Sequence, residues 1–317
     1  MNASISLDLD NQWAYMKVHG DEGWEKYPSY FNKFLPHGLE MLDKYGLKIT
    51  FFIVGRDADD PQNSDVMKEI TQRGHEVGNH SYNHEAWFHL YSRDEILDEL
   101  NKTEEAIFNV TGAKPIGFRG PGFSRSKELF KILKEKNYLY DASTLATWIG
   151  PLARAYYFRQ SDLTKEERKT REGLFGSFSD GLKRIKPFKW NLDNEAELLE
   201  IPVSTIPVFK LPFHFSYLHY LAGVSVSLMN AYLQTAITMC KITNTEPSFL
   251  LHPLDLIGGD LIPELNFFPG MELSSSYKAE LYDIVMTKLN DNFNLVNMSE
   301  HANIILQRKN LPMKIHA

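Results

Sequence analysis

Leu47-Lys48-Ile49-Thr50-Phe51-Phe52-Ile53-Val54 sets the architecture. The run is β-branched and aromatic, shorter than a helix and apolar at successive positions, so it predicts a strand covered on both faces, as in a parallel sheet flanked by helices. Its neighbours agree. A helix is predicted before it from about Pro28 to Tyr45, with Phe31, Phe34, Leu35, Leu39 and Leu42 at helical spacing, and Ser4 to Leu9 forms a first strand. After it the pattern predicts a helix near Ser64 to Gln72, a strand His75 to Gly78 and a helix Ser92 to Val110. A strand Ile116 to Arg119, a helix Ser126 to Lys136 and a strand Tyr138 to Ala142 come next. Beyond a long interruption the alternation resumes: strand Leu198 to Val203, helix from about Leu221 to Ile242, strand Ser248 to Leu251, helix Ser274 to Leu289 and strand Phe293 to Val296. Strands that alternate with helices predict an α/β fold, a single barrel of seven or eight parallel strands over residues 1–317 with an insertion at about 148–197.

Composition narrows the function classes. With 317 residues, 43% hydrophobic and 24% charged, the chain has the make-up of an ordinary globular protein. A net charge of −7 gives no basic surplus for phosphate-backbone binding, so nucleic acid is not an expected partner. One cysteine, Cys240, excludes an intrachain disulfide and a thiolate zinc cluster. The first residues show neither a basic stretch nor an apolar core of a secretion signal, which leads to an expected cytoplasmic location.

Two segments break the pattern. Pro151 to Trp190 carries ten Lys/Arg against five Asp/Glu. Within it Leu174, Phe175, Phe178, Leu182 and Ile185 share one helical face, next to Lys183, Arg184, Lys186 and Lys189, as in an amphipathic helix on an anionic membrane surface. A solvated basic insertion packed on the barrel is the alternative. Leu211 to Cys240 contains no Asp, Glu, Lys or Arg. Its proline, histidines, Asn230 and Gln234 argue for a buried barrel helix over a membrane span, with an apolar membrane-facing loop as the other reading.

Ligand-type residues gather at predicted strand ends. Asp8-Leu9-Asp10 closes strand one and puts two carboxylates on one face, one to hold a metal and one left free as a base. His80-Ser81-Tyr82-Asn83-His84 spaces two imidazoles by four, which on a helical turn lets both face one point. With Asp10 they form an O,N,N set that leaves a coordination position open, as a catalytic metal site needs. Arg119-Gly120-Pro121-Gly122 ends another strand, so that Arg119 can grip a carboxylate with a two-pronged hydrogen bond and Gly122 can offer a backbone N–H to an oxyanion. Leu251-His252-Pro253 adds an imidazole from the same rim.

The ordered series Asp-x-Asp, His-x-x-x-His, Arg-x-Pro and Leu-x-His resembles the polysaccharide deacetylases, the NodB-homology or carbohydrate esterase family 4 group, in an Asp-x-Asp subgroup. It covers roughly Ser4 to Ala142 and Glu200 to Glu300 and leaves the basic insertion unmatched. The resemblance implies a distorted (β/α)7-type barrel that hydrolyses N-acetyl, or sometimes O-acetyl, groups on sugars with a divalent metal, commonly Zn2+. It implies Asp8 as general base, Asp10, His80 and His84 as metal ligands, Arg119 as the partner tuning Asp8, and His252 as general acid. Asp141 is expected to orient His252 or Arg119. Leu9 separates two aspartates that are adjacent in most members, and the usual Asp-Trp groove motif is missing.

For the substrate, the stretch Asn11 to Tyr30 is predicted as a loop whose Trp13 and Trp24, with Trp87 beyond the second motif, can stack on a sugar ring. The basic and uncharged segments favour a polyprenyl-phosphate-linked amino sugar at the inner membrane face, bearing an acetyl or formyl group; the His-x-x-x-His-x-x-Trp pattern is also similar to lipid-linked formamido-arabinose deformylases. The alternatives are a small-molecule cyclic amidase resembling the allantoinase branch and a non-catalytic glycan-binding barrel.

Overall fold

The computed structural model describes residues 1–160, 164–170, 176–192 and 197–315. The first half of the chain runs β1 (Asn2–Leu9), α1 (Gln12–His19), α2 (Phe31–Asp43), β2 (Thr50–Ile53), α3 (Gly55–Asp59), α4 (Ser64–Gln72) and β3 (Glu76–Asn79). It continues through α5 (Arg93–Thr111), β4 (Gly117–Phe118), α6 (Lys127–Glu135) and β5 (Tyr140–Asp141). Then come α7 (Gly150–Gln160), α8 (Lys165–Thr170), β6 (Phe188–Asn191), β7 (Glu197–Glu200), α9 (Phe215–Val224) and α10 (Val226–Thr243). β8 (Ser248–Leu251), α11 (Ser275–Asn292), β9 (Asn294–Val296), α12 (Met298–Leu306) and β10 (Met313–Ile315) complete the chain.

β8, β1, β2, β3, β4, β5 and β7 lie side by side, all parallel, as crossover helices dictate. Past β7 the chain leaves its neighbour and crosses to β8. Val203 N still donates to Thr144 O at 2.8 Å, but Ser204 N donates to Ser248 O at 3.0 Å and Ser248 N to Ser204 Oγ at 2.6 Å. These contacts close the strands into a distorted ring, the α/β architecture expected from the alternation. Asp8 pairs in register with Phe52, Asn79 with Phe118, and Phe118 with Asp141, so successive strands end at one rim. In such barrels the C-terminal rim carries chemistry.

Several expectations change. Among the described residues of the basic segment, 176–190 do not form an amphipathic helix. Leu174 and Phe175 lie outside the described residues, Phe178–Leu182 is one short 3-10 turn, and Phe188 and Trp190 are buried in β6. Trp190 stacks on Phe130 of α6 at 4.9 Å, so packing on the barrel takes these rings away from any surface. The segment supplies β6, antiparallel to β7, which β10 extends. The uncharged stretch packs as helices, as the barrel reading has it, but breaks in two at Ser225, whose extended backbone (φ −166°, ψ 130°) follows Gly223 and Val224. Among the described residues no helix is long and apolar enough to cross a membrane.

Candidate active site

β1 delivers both acidic residues to the rim, and each meets a different partner. Asp10 lies just beyond the strand, buried, with Oδ1 at 3.0 Å from His84 Nε2 and 3.6 Å from His80 Nε2. One donor atom from each of the three residues lies within 4.8 Å of the others, the sole such trio among the described residues. Burial alone would raise the Asp10 carboxyl, but the charge and contact of His84, with help from His80 and His252, pull it down to about 2. The His84 imidazole is correspondingly raised, Asp10 outweighing burial, whereas His80 is lowered, chiefly by burial.

The His80–His84 segment is not a helical turn, contrary to the sequence reading. It is a loop in which Ser81 and His84 adopt left-handed φ of 60° and 51°. The buried Glu99 of α5 organises it, accepting from Tyr82 N at 2.8 Å and Asn83 N at 3.0 Å, while Ser81 Oγ accepts from His84 N at 3.2 Å. His80 Nδ1 lies 2.6 Å from Arg119 O. A carbonyl can only accept, so Nδ1 carries the proton and the Nε2 lone pair points toward Asp10, the arrangement that metal-ligating histidines adopt. Asp10 Oδ1 is buried and has no hydrogen-bond donor. An O,N,N donor set with a fixed tautomer and an orphaned carboxylate oxygen suits a divalent cation.

Asp8 is held by Arg119, whose side chain is fully buried and whose guanidinium lies 4.6 Å from the Phe52 ring centroid. The grip is not two-pronged. Nη1 donates to Asp8 Oδ1 at 3.0 Å, whereas Nε donates to Ala142 O at 3.1 Å, so the fork ties β1 to β5. The next residue, Gly120, makes its turn against Ser124 O, where a Cβ would collide. Gly122 follows with φ 57° and is exposed.

Across the rim, His252 caps a 3-10 turn together with Asp255, which accepts from His252 N at 2.8 Å and has Oδ2 3.6 Å from His252 Nδ1. Burial lowers this imidazole, but Asp255 and the charges of Asp8 and Asp10 prevail and push it up to about 9. Asp255 is the orienting carboxylate the sequence reading missed. Its signal, an acid three residues after His252 behind a proline, was present in His252-Pro253-Leu254-Asp255.

Asp141 touches neither His252 nor Arg119. It accepts from Ser143 N at 3.1 Å and Ser143 Oγ at 2.7 Å and pairs with Glu200. Ser143 Oγ in turn accepts from Gly120 N at 2.8 Å, so Asp141 supports the turn after Arg119. The aromatic stretch is also reorganised. Trp13 is buried in α1, its Nε1 donating to Asp57 Oδ1 at 2.8 Å, and it packs against Trp24 at 5.5 Å with Arg56 over both rings. Trp24 and Trp87 are half-buried.

Fold and rim together place the Asp10, His80 and His84 trio beside Asp8 and Arg119 at the C-terminal rim of a (β/α) barrel. Residues 20–140 match the family model described as "Polysaccharide deacetylase", a span that includes His80, His84 and Arg119. The chain is 30% identical over 176 residues to a peptidoglycan deacetylase of Helicobacter pylori, covering 54% of this chain and 57% of that protein. It is 31% identical over 107 residues to a peptidoglycan-N-acetylglucosamine deacetylase of Bacillus cereus, covering 34% and 38%. The chain thus spans between a third and three fifths of the length of these curated relatives. A crystal structure from Mycobacterium smegmatis, named for the polysaccharide deacetylases, superposes with a TM-score of 0.61 at 18% identity, covering 100% of this chain and 94% of that one. The resemblance read from the motifs is borne out: residues 20–140 carry a region similar to the polysaccharide deacetylases, on an α/β fold like that of the superposed structure.

Proposed function

We propose that the protein is a metal-dependent hydrolase that removes an N-acetyl or N-formyl group from an amino sugar. The observation that carries this reading is the convergence of Asp10, His80 and His84 beside the Arg119-bound Asp8 and across from His252, whose imidazole is raised to about 9. A divalent cation such as Zn2+, held by Asp10, His80 and His84, would polarise the acyl carbonyl and acidify water. Asp8, kept in place by Arg119, takes the proton of the attacking water. Gly122, on the turn after Arg119, would offer its backbone N–H to the developing oxyanion. His252, charged and aligned by Asp255, gives its proton to the departing amine. The names of the relatives support an amino-sugar polymer or its precursor as substrate.

A lipid-linked precursor at a membrane face is the finer form of the proposal. What supports it is the exposure of Phe178 (62%) and Leu182 (82%) on the turn that leads into Lys183 and Arg184. The test is acyl release from a panel of N-acetylated and N-formylated amino sugars, before and after chelation. Turnover that is unaffected by exhaustive chelation sinks the metal-dependent reading, and no release from any of them sinks the deacylase.

A further inference from the structure

Beside the catalytic rim lies a cavity of about 420 Å³. Gly122, three residues beyond Arg119, and Ala86, two beyond His84, line it, so it opens next to the reacting centre. The charged residues of its lining are Arg125, Lys183, Arg184 and Lys314 against one carboxylate, Asp180, with the buried Glu200 and Asp141 behind the wall also attracting Arg125. Asp180 is already engaged, by Lys183 and, at 3.4 Å, by Arg125. Arg184 and Lys314 have no ion-pair partner among the described residues, and the Nε–H of Arg184 is buried without an acceptor. Lys210 stands behind the same wall, its ammonium bonded to Lys183 O at 2.7 Å. Burial and the charge of Lys314 depress it, the behaviour of cations concentrated without enough counter-charge.

We infer that this cavity is an oxyanion subsite that receives a phosphate or diphosphate carried by the amino sugar whose acyl group is removed at the rim. The inference rests on the amino-sugar reading above and gives it a substrate class. Four lining cations against one lining acid suit a group of nearly two negative charges better than a lone carboxylate. The vacant Arg184 donor supplies the directed, charge-assisted hydrogen bond that distinguishes a binding site from a diffuse basic surface.

Calorimetric binding to the metal-loaded protein tests this, with glucosamine 1-phosphate, methyl glucosaminide and inorganic phosphate as probes. The parent protein should bind the phosphorylated sugar about tenfold or more tightly than the neutral one, the scale of one charge-assisted contact. R184Q/K314Q should lose that advantage with its metal content and melting temperature unchanged, and Lys314→Gln alone should lose part of it. Equal affinity of the parent for both sugars overturns the inference. Phosphate binding undiminished in R184Q/K314Q also overturns it, because the anion then sits on the metal centre or elsewhere. Vesicles with and without phosphatidylglycerol separate the sources of phosphate: binding to anionic vesicles that needs Arg184 and Lys314, with no binding of soluble phosphate, makes the wall a membrane patch and overturns the subsite. Binding is read without turnover, so failure of the deacylase reading shows separately, as absent acyl release with phosphate binding intact.

Discussion

Two pairs of carboxylates are buried on the same barrel rim, Asp8 with Asp10 and Asp141 with Glu200, and their surroundings move Asp10 and the second pair in opposite directions. The first pair faces the Arg119 guanidinium on Asp8 and the raised His84 imidazole on Asp10, with His80 Nε2 at 3.6 Å. The second pair is held mainly by neutral donors. Ser143 serves Asp141, while Thr144 N donates to Glu200 Oε1 at 2.9 Å and Trp190 Nε1 to Oε2 at 2.8 Å. Burial raises both members of this pair, and for Glu200 the charge of Asp141 raises it further. Burial alone therefore does not make a carboxylate reactive. The charge of Arg125 does not offset burial at Asp141 and Glu200, whereas the charge and contact of His84 outweigh burial at Asp10.

The sharpest break in this comparison would come from the trio. His80→Ala or Asp10→Ala should lose bound metal and lower acyl release by roughly 10³-fold or more, the several kcal/mol a Lewis acid contributes; elemental analysis alongside the rate assay checks both, and a variant that keeps its metal removes the distinction. His252→Ala should retain metal while the rate falls by roughly 10²-fold or more, as for loss of a general acid. Metal loss there would make His252 a ligand.

A smaller effect sharpens the contrast through pH. His252 is raised from 6.5 to about 9, so as a proton donor it serves below that point and the rate should decline as pH rises through about 9. Asp255→Asn should shift this decline downward by about one unit, a change of about 1.4 kcal/mol; an unmoved profile would show that Asp255 does not set it. The same raised value adds stability that is complete below about 6.5 and disappears as pH climbs through about 9.

The smallest effect belongs to the second pair. Glu200→Gln keeps an acceptor and a donor, so the rate should stay within about twofold of the parent, since nothing that reacts is removed. Because Glu200 is raised when folded, the parent loses stability as pH rises above the model-compound value of 4.5, and the variant should lose less over the same range in thermal melts. A large rate loss in this variant would put Asp141 and Glu200 in the chemistry.

Where burial follows a simple period, the sequence was readable. β8 and α4 fall at the positions expected, Ser248–Leu251 and Ser64–Gln72, because apolar runs and helical spacing set them locally. α1 was taken for a loop because its buried residues, Gln12, Trp13, Ala14 and Met16, make no apolar stripe; it is held by the Trp13–Asp57 contact. α12 was missed although Asn297 caps it and Glu300 follows, and β10 is only three residues on an edge that β6 creates. At the site, residue types identified Asp10, His80 and His84, and the structure brings them together. Their spacing misled, because the four-residue interval is spanned by left-handed loop backbone fixed by Glu99, a residue 15 positions beyond His84 in a separate helix. The part expected of Asp141 falls to Asp255 because tertiary placement, not strand assignment, decides which acid reaches His252.

The junction between Ser204 and Ser248 has an architectural consequence. Elsewhere around the ring successive strands are zipped by ladders, but here a hydroxyl and two amides hold the circumference. Extra chain can be accommodated beside such a seam without unpicking a ladder. The span between β5 and β7 is where α7, α8 and β6 have been added. Amide exchange at Ser204 and Ser248 should accordingly outpace that at Ile5 and Phe51, making this the edge from which the circle opens.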